Sequence, residues 1–420
     1  MTETPGTDTS PSTAQAQAQV DWLVDASARA PVTDAEIHDH IAAPLLAASG
    51  GPNAFNAVLH QLGPITLRRI VESGQDHAQA AVSGGDGDYL LRVRVDPSGL
   101  VNDVSLTPDE APLSSWTQVD DMLGDLGARV SFAASRIGPD GRCELVHGVR
   151  ADTQRPIGSA FKLYVLGALA QAVSEQRASW DESLAIRDDF KSLPSGRLQD
   201  CPAGTTVTMA EFADCMISLS DNTATDHLIH RLGRDAVVHQ MDLFGHQQPR
   251  ANIPCLTTKA FFQLKANQYP ARADEYLALP EHHRSAALRE LERLPLPEVR
   301  ETWPQPRKID QIEWFASPID ICNAYAALWR FDQPEIGHAL TLNDDGLNLA
   351  PSRFPTVWYK GGSEPGVITL NYLARTSDDR TLVTSLMVSD AGTAPDKAGT
   401  ALKGQAVIRG AFDLLTAEGV

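Results

Sequence analysis

Gly158–Val173 reads GSAFKLYVLGALAQAV. Apart from Ser159, Lys162, Tyr164 and Gln171, every residue is apolar or small, the pattern of a helix buried on all sides. Lys162 is its one charge. An unpaired ammonium is expensive to bury, so a lysine here is paired, neutralised or turned out to water. Ser159 precedes it by three positions, one helical turn away on the same face. The stretch therefore sets a hydroxyl beside a cation whose surroundings favour the neutral amine.

Two further elements follow in order. Ser220-Asp221-Asn222 lies in MISLSDNTATDHLI, in a loop between helical stretches, and Lys360-Gly361-Gly362 lies in WYKGGSEPGVITL, ahead of a C-terminal hairpin. Singly, Ser159 reads as a helix cap, Lys162 as a snorkelling side chain and SDN as a turn. In this order they resemble the three-motif signature of serine β-lactamases and penicillin-binding proteins, S-x-x-K, S-D-N and K-T/S-G. Ser159 and Ser220 stand 61 positions apart, close to the separation usual in that superfamily. RPIGSAFKLYVL and MISLSDNTATDHLI look like class A β-lactamase sequence around the motifs, and the resemblance covers about 115–420.

The chemistry explains the residue types. A serine hydroxyl is a poor nucleophile without an adjacent base, and lysine is a base only when neutral. Burial and a second cation both lower its pKa, and Lys360 would be that cation. Ser159 at a helix start aims its own N–H at a developing oxyanion. The resemblance implies a second donor in the Ser363 N–H, proton relay through Ser220 and orientation of substrate and Lys162 by Asn222. It also implies a carboxylate held by Lys360. Gly361 and Gly362 would let the edge strand approach substrate closely, with Tyr359 beside them in the substrate-binding set. No cofactor and no metal is implied.

The pattern departs from class A enzymes in four ways. Their glutamate, in an E-x-x-L-N loop some way beyond SDN, activates the deacylating water; here residues 243–273 contain no Asp or Glu, and Asp274 and Glu275 lack that setting. Acylation without efficient β-lactam hydrolysis is expected. Asn222 and Lys360 stand 138 positions apart, more than in compact family members. The extra sequence falls at 268–312, with a helix around HHRSAALRELERL, as a lid or a surface insertion. Gly361 replaces the usual Thr or Ser, removing a hydroxyl that helps hold a carboxylate. No basic n-region, apolar h-region or twin arginine is present.

The remaining sequence bounds the setting. The chain has 420 residues, enough for two domains, and its 42% apolar content makes it globular. A net charge of −19 argues against nucleic acid and anionic membranes as partners; a small-molecule ester or β-lactam-like substrate is expected instead. Five cysteines without metal-type spacing imply reduced thiols and a cytoplasmic location. His227 and His230, at i and i+3, read as helix-surface residues rather than ligands, and His38, His40, His282 and His283 as solvated. No G-x-S-x-G elbow, P-loop or dinucleotide fingerprint occurs.

The expected fold is α+β. Residues 1–20 form a disordered tail. Residues 21–112 form a small α+β domain, helices followed by a curved antiparallel meander, of steroid-isomerase or polyketide-cyclase-like type. Residues 113–420 form a class A β-lactamase-like domain, with helices from Ser159 to about 340 between strands that close one sheet. The combination is similar to the two-domain β-lactamase-like proteins encoded with clavulanic acid biosynthesis, which implies esterase rather than robust β-lactamase activity. A penicillin-binding-type peptidase or transpeptidase, or a non-catalytic protein that binds a β-lactam intermediate, is the alternative.

Overall fold

A computed structural model describes residues 13–84, 87–109, 111–127, 129–297 and 303–417. The chain divides into two units: one runs to Pro112 and includes Gly346–Ala350, the other comprises the sequence from Leu113 to Asp345 and from Pro351 onward.

The first unit begins with helix α1 (Thr13–Arg29), so part of the expected tail is helical; residues 1–12 lie outside the described residues. The Ala-Gln repeat that reads as low complexity carries Ala16, Val20, Leu23 and Ala26 on one buried stripe. Short helices α2 (Asp34–His40), α3 (Ala43–Ala48) and α4 (Pro52–Leu62) follow. Thr33 caps α2 by accepting from the Glu36 N–H, and Thr33→Ala should cost about 1 kcal/mol in a thermal melt. Strands β1 (Thr66–Ser73), β2 (His77–Gly84), β3 (Gly87–Val95) and β4 (Val101–Pro108) form an antiparallel meander in sequence order. Every second residue, Ala78, Ala80 and Val82 on β2 and Leu91, Val93 and Val95 on β3, is buried in the core shared with α1. Register shifts between Leu67 and Arg69 and between Ile70 and Glu72 bend β1.

The second unit opens with α5 (Trp116–Gly124), capped by Ser115, then β5 (Val130–Ile137), β6 (Cys143–Val149) and the short β7 (Arg155–Pro156). A single 3-10 turn, Gly158–Phe161, leads into α6 (Lys162–Ser174). The helical region expected from Ser159 to about 340 is interrupted. Residues 175–208 are loops around a ribbon of β8 (Ser183–Ala185) and β9 (Thr206–Thr208), where Pro194, Gly196, Pro202 and Gly204 break the helical pattern.

Helices α7 (Met209–Ser218), α8 (Asn222–Leu232), α9 (Arg234–Leu243), α10 (Thr258–Lys265), α11 (Ala271–Ala278) and α12 (Glu281–Glu292) come next. After the two-residue β10 (Phe315–Ala316), which pairs with β7, come α13 (Pro318–Trp329) and α14 (Pro334–Thr341). The chain closes with β11 (Thr356–Tyr359), β12 (Gly362–Glu364), β13 (Val367–Arg375), β14 (Thr381–Ser389) and α15 (Lys397–Ala417).

The antiparallel sheet runs β11-β13-β14-β5-β6, with β12 also paired to β13. Every residue of β14 is buried, because α13 and α15 both pack on it and cover the sheet. Helix α6 packs against α7, α8, α9 and α13, and Ala160 to Ala170 are buried without exception. The apolar run thus reflects neighbours on all sides. All five cysteines are free thiols. No helix among the described residues is long and apolar enough to cross a membrane.

Candidate active site

Gly158, at φ +49, turns the chain into the 3-10 segment that carries Ser159. Ser159 is half-buried, and among the described residues its hydroxyl has no hydrogen bond within the protein. Lys162 is fully buried. Its Nζ lies 2.6 Å from the Ser220 carbonyl, 2.8 Å from Asn222 Oδ1 and 3.1 Å from Ser220 Oγ. Burial first, and then the nearby Lys360 charge, hold its pKa well below the ordinary lysine value. A neutral amine donates twice and accepts once. The two carbonyl-type oxygens take the donors, which leaves the lone pair for a hydroxyl.

Ser220 sits at φ +54, a left-handed conformation costing about 1–3 kcal/mol for a residue with a Cβ. Lys360 Nζ donates to Ser220 Oγ at 3.0 Å and to the Gly361 carbonyl at 3.0 Å. Burial pushes Lys360 down to about 7. Both lysines therefore meet at one hydroxyl, whose own proton is free to point at Lys162.

The strained turn is held from below. Asp221 caps α8 through the Ala224 N–H and also accepts from the N–H groups of Arg197 at 2.7 Å and Leu198 at 2.9 Å. Ser195 Oγ donates to the Ser220 carbonyl at 2.8 Å, and the Asn222 N–H donates to the Ser195 carbonyl. Gly196, at φ +121, packs so closely that a Cβ would lie 2.2 Å from the Asp221 carboxyl carbon. Gly196→Ala should therefore lower stability by about 3 kcal/mol, read from denaturant unfolding, and slow acylation with it.

Strand β12 closes the other side. A Cβ on Gly362 would lie 2.6 Å from the Ser159 nitrogen, and one on Gly158 would lie 3.0 Å from the Ser363 nitrogen. Only two glycines allow backbones this close. The two-residue turn Pro365-Gly366 makes Glu364 and Val367 a hydrogen-bonded pair, so alternation points the Ser363 N–H away from β13. Thr369 Oγ1 ties the segments together by donating to the Ile157 carbonyl at 3.1 Å.

Tyr359 accounts for Gly361. Its phenol oxygen lies 2.1 Å from where a Cβ at 361 would stand, so Thr or Ser cannot share that space. The Tyr359 hydroxyl donates to Asp345 at 2.8 Å. The structure thus brings together Ser159, Lys162, Ser220, Asn222, Lys360, Gly361, Gly362 and Ser363, while the Tyr359 phenol is committed to Asp345.

No carboxylate hydrogen-bonds Lys162 among the described residues. The fully buried Asp226 is turned to α10, accepting from the Thr258 N–H at 2.7 Å and the Lys259 N–H at 2.8 Å. Burial raises it to about 7. His227 is not the surface residue expected. It is buried between Phe190 and Phe212, its Nε2 accepting from the Arg187 N–H at 2.9 Å. The described residues contain no group of three or more His, Cys, Asp or Glu able to hold a metal.

Two supports went unread in the sequence. Ser195 carries no motif. Asn371 cradles Lys360: the Lys360 N–H donates to the Asn371 carbonyl, and Asn371 Nδ2 donates back to the Lys360 carbonyl at 2.9 Å. The signal for it was a lone amide in the apolar strand VITLNYLAR.

Residues 116–276 match the family model described as "Beta-lactamase enzyme family". An engineered variant of the reconstructed last common ancestor of Gram-negative class A β-lactamases is 16% identical, with a TM-score of 0.50, over 71% of this chain and 98% of that one. The chain has a class A β-lactamase-like fold over most of its length. A β-lactamase from Sphaerobacter thermophilus (20% identity, TM-score 0.48, 70% of this chain and 96% of that one) is also similar. So is a structure of PBP-A (18%, 0.47, 73% and 99%). Residues 11–101 match a separate family model, described as the ORF 12 gene product N-terminal. No curated protein matches the chain.

Proposed function

We propose that the β-lactamase-like unit is a serine hydrolase that acylates on Ser159. The observation that carries this reading is the meeting of Lys162 and Lys360 at the Ser220 hydroxyl, beside a half-buried serine whose own hydroxyl is unengaged. Lys162, kept neutral, takes the Ser159 proton as Oγ attacks the substrate carbonyl. The N–H groups of Ser159 and Ser363 stabilise the oxyanion. The tetrahedral intermediate collapses to the acyl-enzyme as the leaving group takes a proton from Ser220, which Lys162 replenishes. Lys360 keeps the relay electropositive.

The substrate class follows from what is missing. No residue of 243–273 is acidic, so hydrolysis of a bulky β-lactam acyl-enzyme lacks an assigned base. A small acyl group leaves room for water, which favours an ester of a cephalosporin-like or clavam-type molecule. Five free cysteines are in keeping with work in a reducing cytoplasm.

The test compares a chromogenic ester, a cephalosporin acetyl ester and nitrocefin on the wild type and Ser159→Ala, with intact-mass spectrometry after penicillin. Ester turnover, slow nitrocefin hydrolysis and a persistent penicillin adduct, all absent from the variant, are expected. Equal ester turnover in Ser159→Ala would sink the assignment.

A further inference from the structure

A second buried charge cluster lies behind the site, and the acyl-transfer chemistry does not use it. Glu313 precedes β10 and is almost fully buried. Its Oε2 accepts from the N–H of Gly158 at 3.2 Å and from that of Trp314 at 2.8 Å. Glu364 immediately follows Ser363 and pairs with the fully buried Lys265, the last residue of α10. Lys265 Nζ in turn sits 4.5 Å above the Phe261 ring. Glu313 Oε1 and Glu364 Oε2 are buried and have no hydrogen-bond partner among the described residues. Glu313 feels the charge of Glu364, and one proton held between the two carboxyl groups would give both oxygens a partner. With that proton the trio Glu313, Glu364 and Lys265 is neutral, as a buried cluster should be.

The placement is what matters. Glu313 grips the residue before Ser159, and Glu364 is the residue after Ser363. We infer that Glu313 and Glu364 are positioning residues: sharing one proton and anchored by Lys265, they fix the separation between the Ser159 and Ser363 N–H groups. This rests on the reading of Ser159 as the nucleophile. Burial, and then the charge of Glu364, hold Glu313 well above the usual carboxylate range, which favours a proton on the pair. The segment is further locked by the Ile157 N–H, which donates to the Trp314 carbonyl at 2.9 Å, and by Trp314 stacking on Phe161 at 3.9 Å.

The test is the infrared carbonyl stretch of the penicillin acyl-enzyme, with ester kcat and KM, in wild type, E313Q and E313L. In E313Q the amide oxygen still accepts from both N–H groups and the amide nitrogen donates to Glu364, so the band and kcat should stay near wild type. In E313L the band should move to higher wavenumber, as the carbonyl loses hydrogen bonding. There kcat should fall about 10²-fold, with KM within a few-fold, the scale of one lost oxyanion donor. E364L/K265M, which leaves neither charge without its partner, should shift the band the same way and keeps the test alive where E313L does not fold. A wild type that forms no acyl band overturns the nucleophile reading. A wild-type band left unmoved in every folded apolar variant, or moved equally in E313Q and E313L, overturns this inference alone.

Discussion

Lys162→Met should lower kcat/KM for an ester substrate about 10³-fold, the upper part of the range for losing a general base. Methionine nearly preserves the volume of this fully buried side chain, on a helix packed against α7, α8, α9 and α13, so the loss reports chemistry rather than a cavity. Two acceptors, the Ser220 carbonyl and Asn222 Oδ1, lose their donor. The thermal melt therefore belongs beside the kinetics, to show that the variant is folded at the assay temperature. The decisive reading is the rate of penicillin adduct formation on Ser159, which isolates acylation from deacylation. A folded variant that acylates within tenfold of wild type would remove Lys162 from the role of base.

The pH dependence of kcat/KM should be bell-shaped, with Lys360 setting its alkaline side. In the proposed mechanism Lys162 works as the free amine, so the rate should rise as pH climbs through its depressed pKa. Lys360 is assigned there as the ammonium donor to Ser220, and burial pushes its pKa down to about 7, so the rate should fall as pH climbs past that value. Lys360→Arg keeps the charge at every accessible pH. It should flatten the alkaline fall by an order of magnitude or more at pH 9 relative to pH 7, whatever it does to the absolute rate. Lys360→Ala should remove that limb and lower the plateau about 10²-fold, the worth of an electrostatic partner to the relay. An alkaline limb unchanged in the arginine variant would assign it to another group.

The candidate site was legible where odd residues stand in odd places. A lysine in an apolar helix, SDN in a turn and a glycine pair before a hairpin each contradict their surroundings, and those contradictions locate Ser159, Lys162, Ser220 and Lys360. One sheet drawing strands from both ends of the helical stretch was expected, and β5 pairs with β14 in it. What escaped depends on distant parts meeting. Glu313, Glu364 and Lys265 look like ordinary surface charges in sequence, because nothing local marks that the fold will enclose them together. His227 escaped for the same reason. Its i, i+3 partner, His230, suggested a shared helix face, while the covering aromatic rings come from Phe190 and Phe212. The tail was misjudged because Ala16 and Val20 matter only once β2 and β3 exist to receive them.

The pairing of β5 with β14 also has a temporal meaning. Ser159, Ser220 and Lys360 lie on segments scattered through the unit, and Lys360 is held by Asn371, on a strand that reaches β5 only through β14. Contacts of such long sequence separation form late, after the loop-closure entropy has been met. A chain still emerging from the ribosome can build the helices around α6 but cannot assemble Lys360 against Ser220. The proposed acylation by a reactive β-lactam probe would therefore double as a folding clock, labelling only molecules whose last strands have docked.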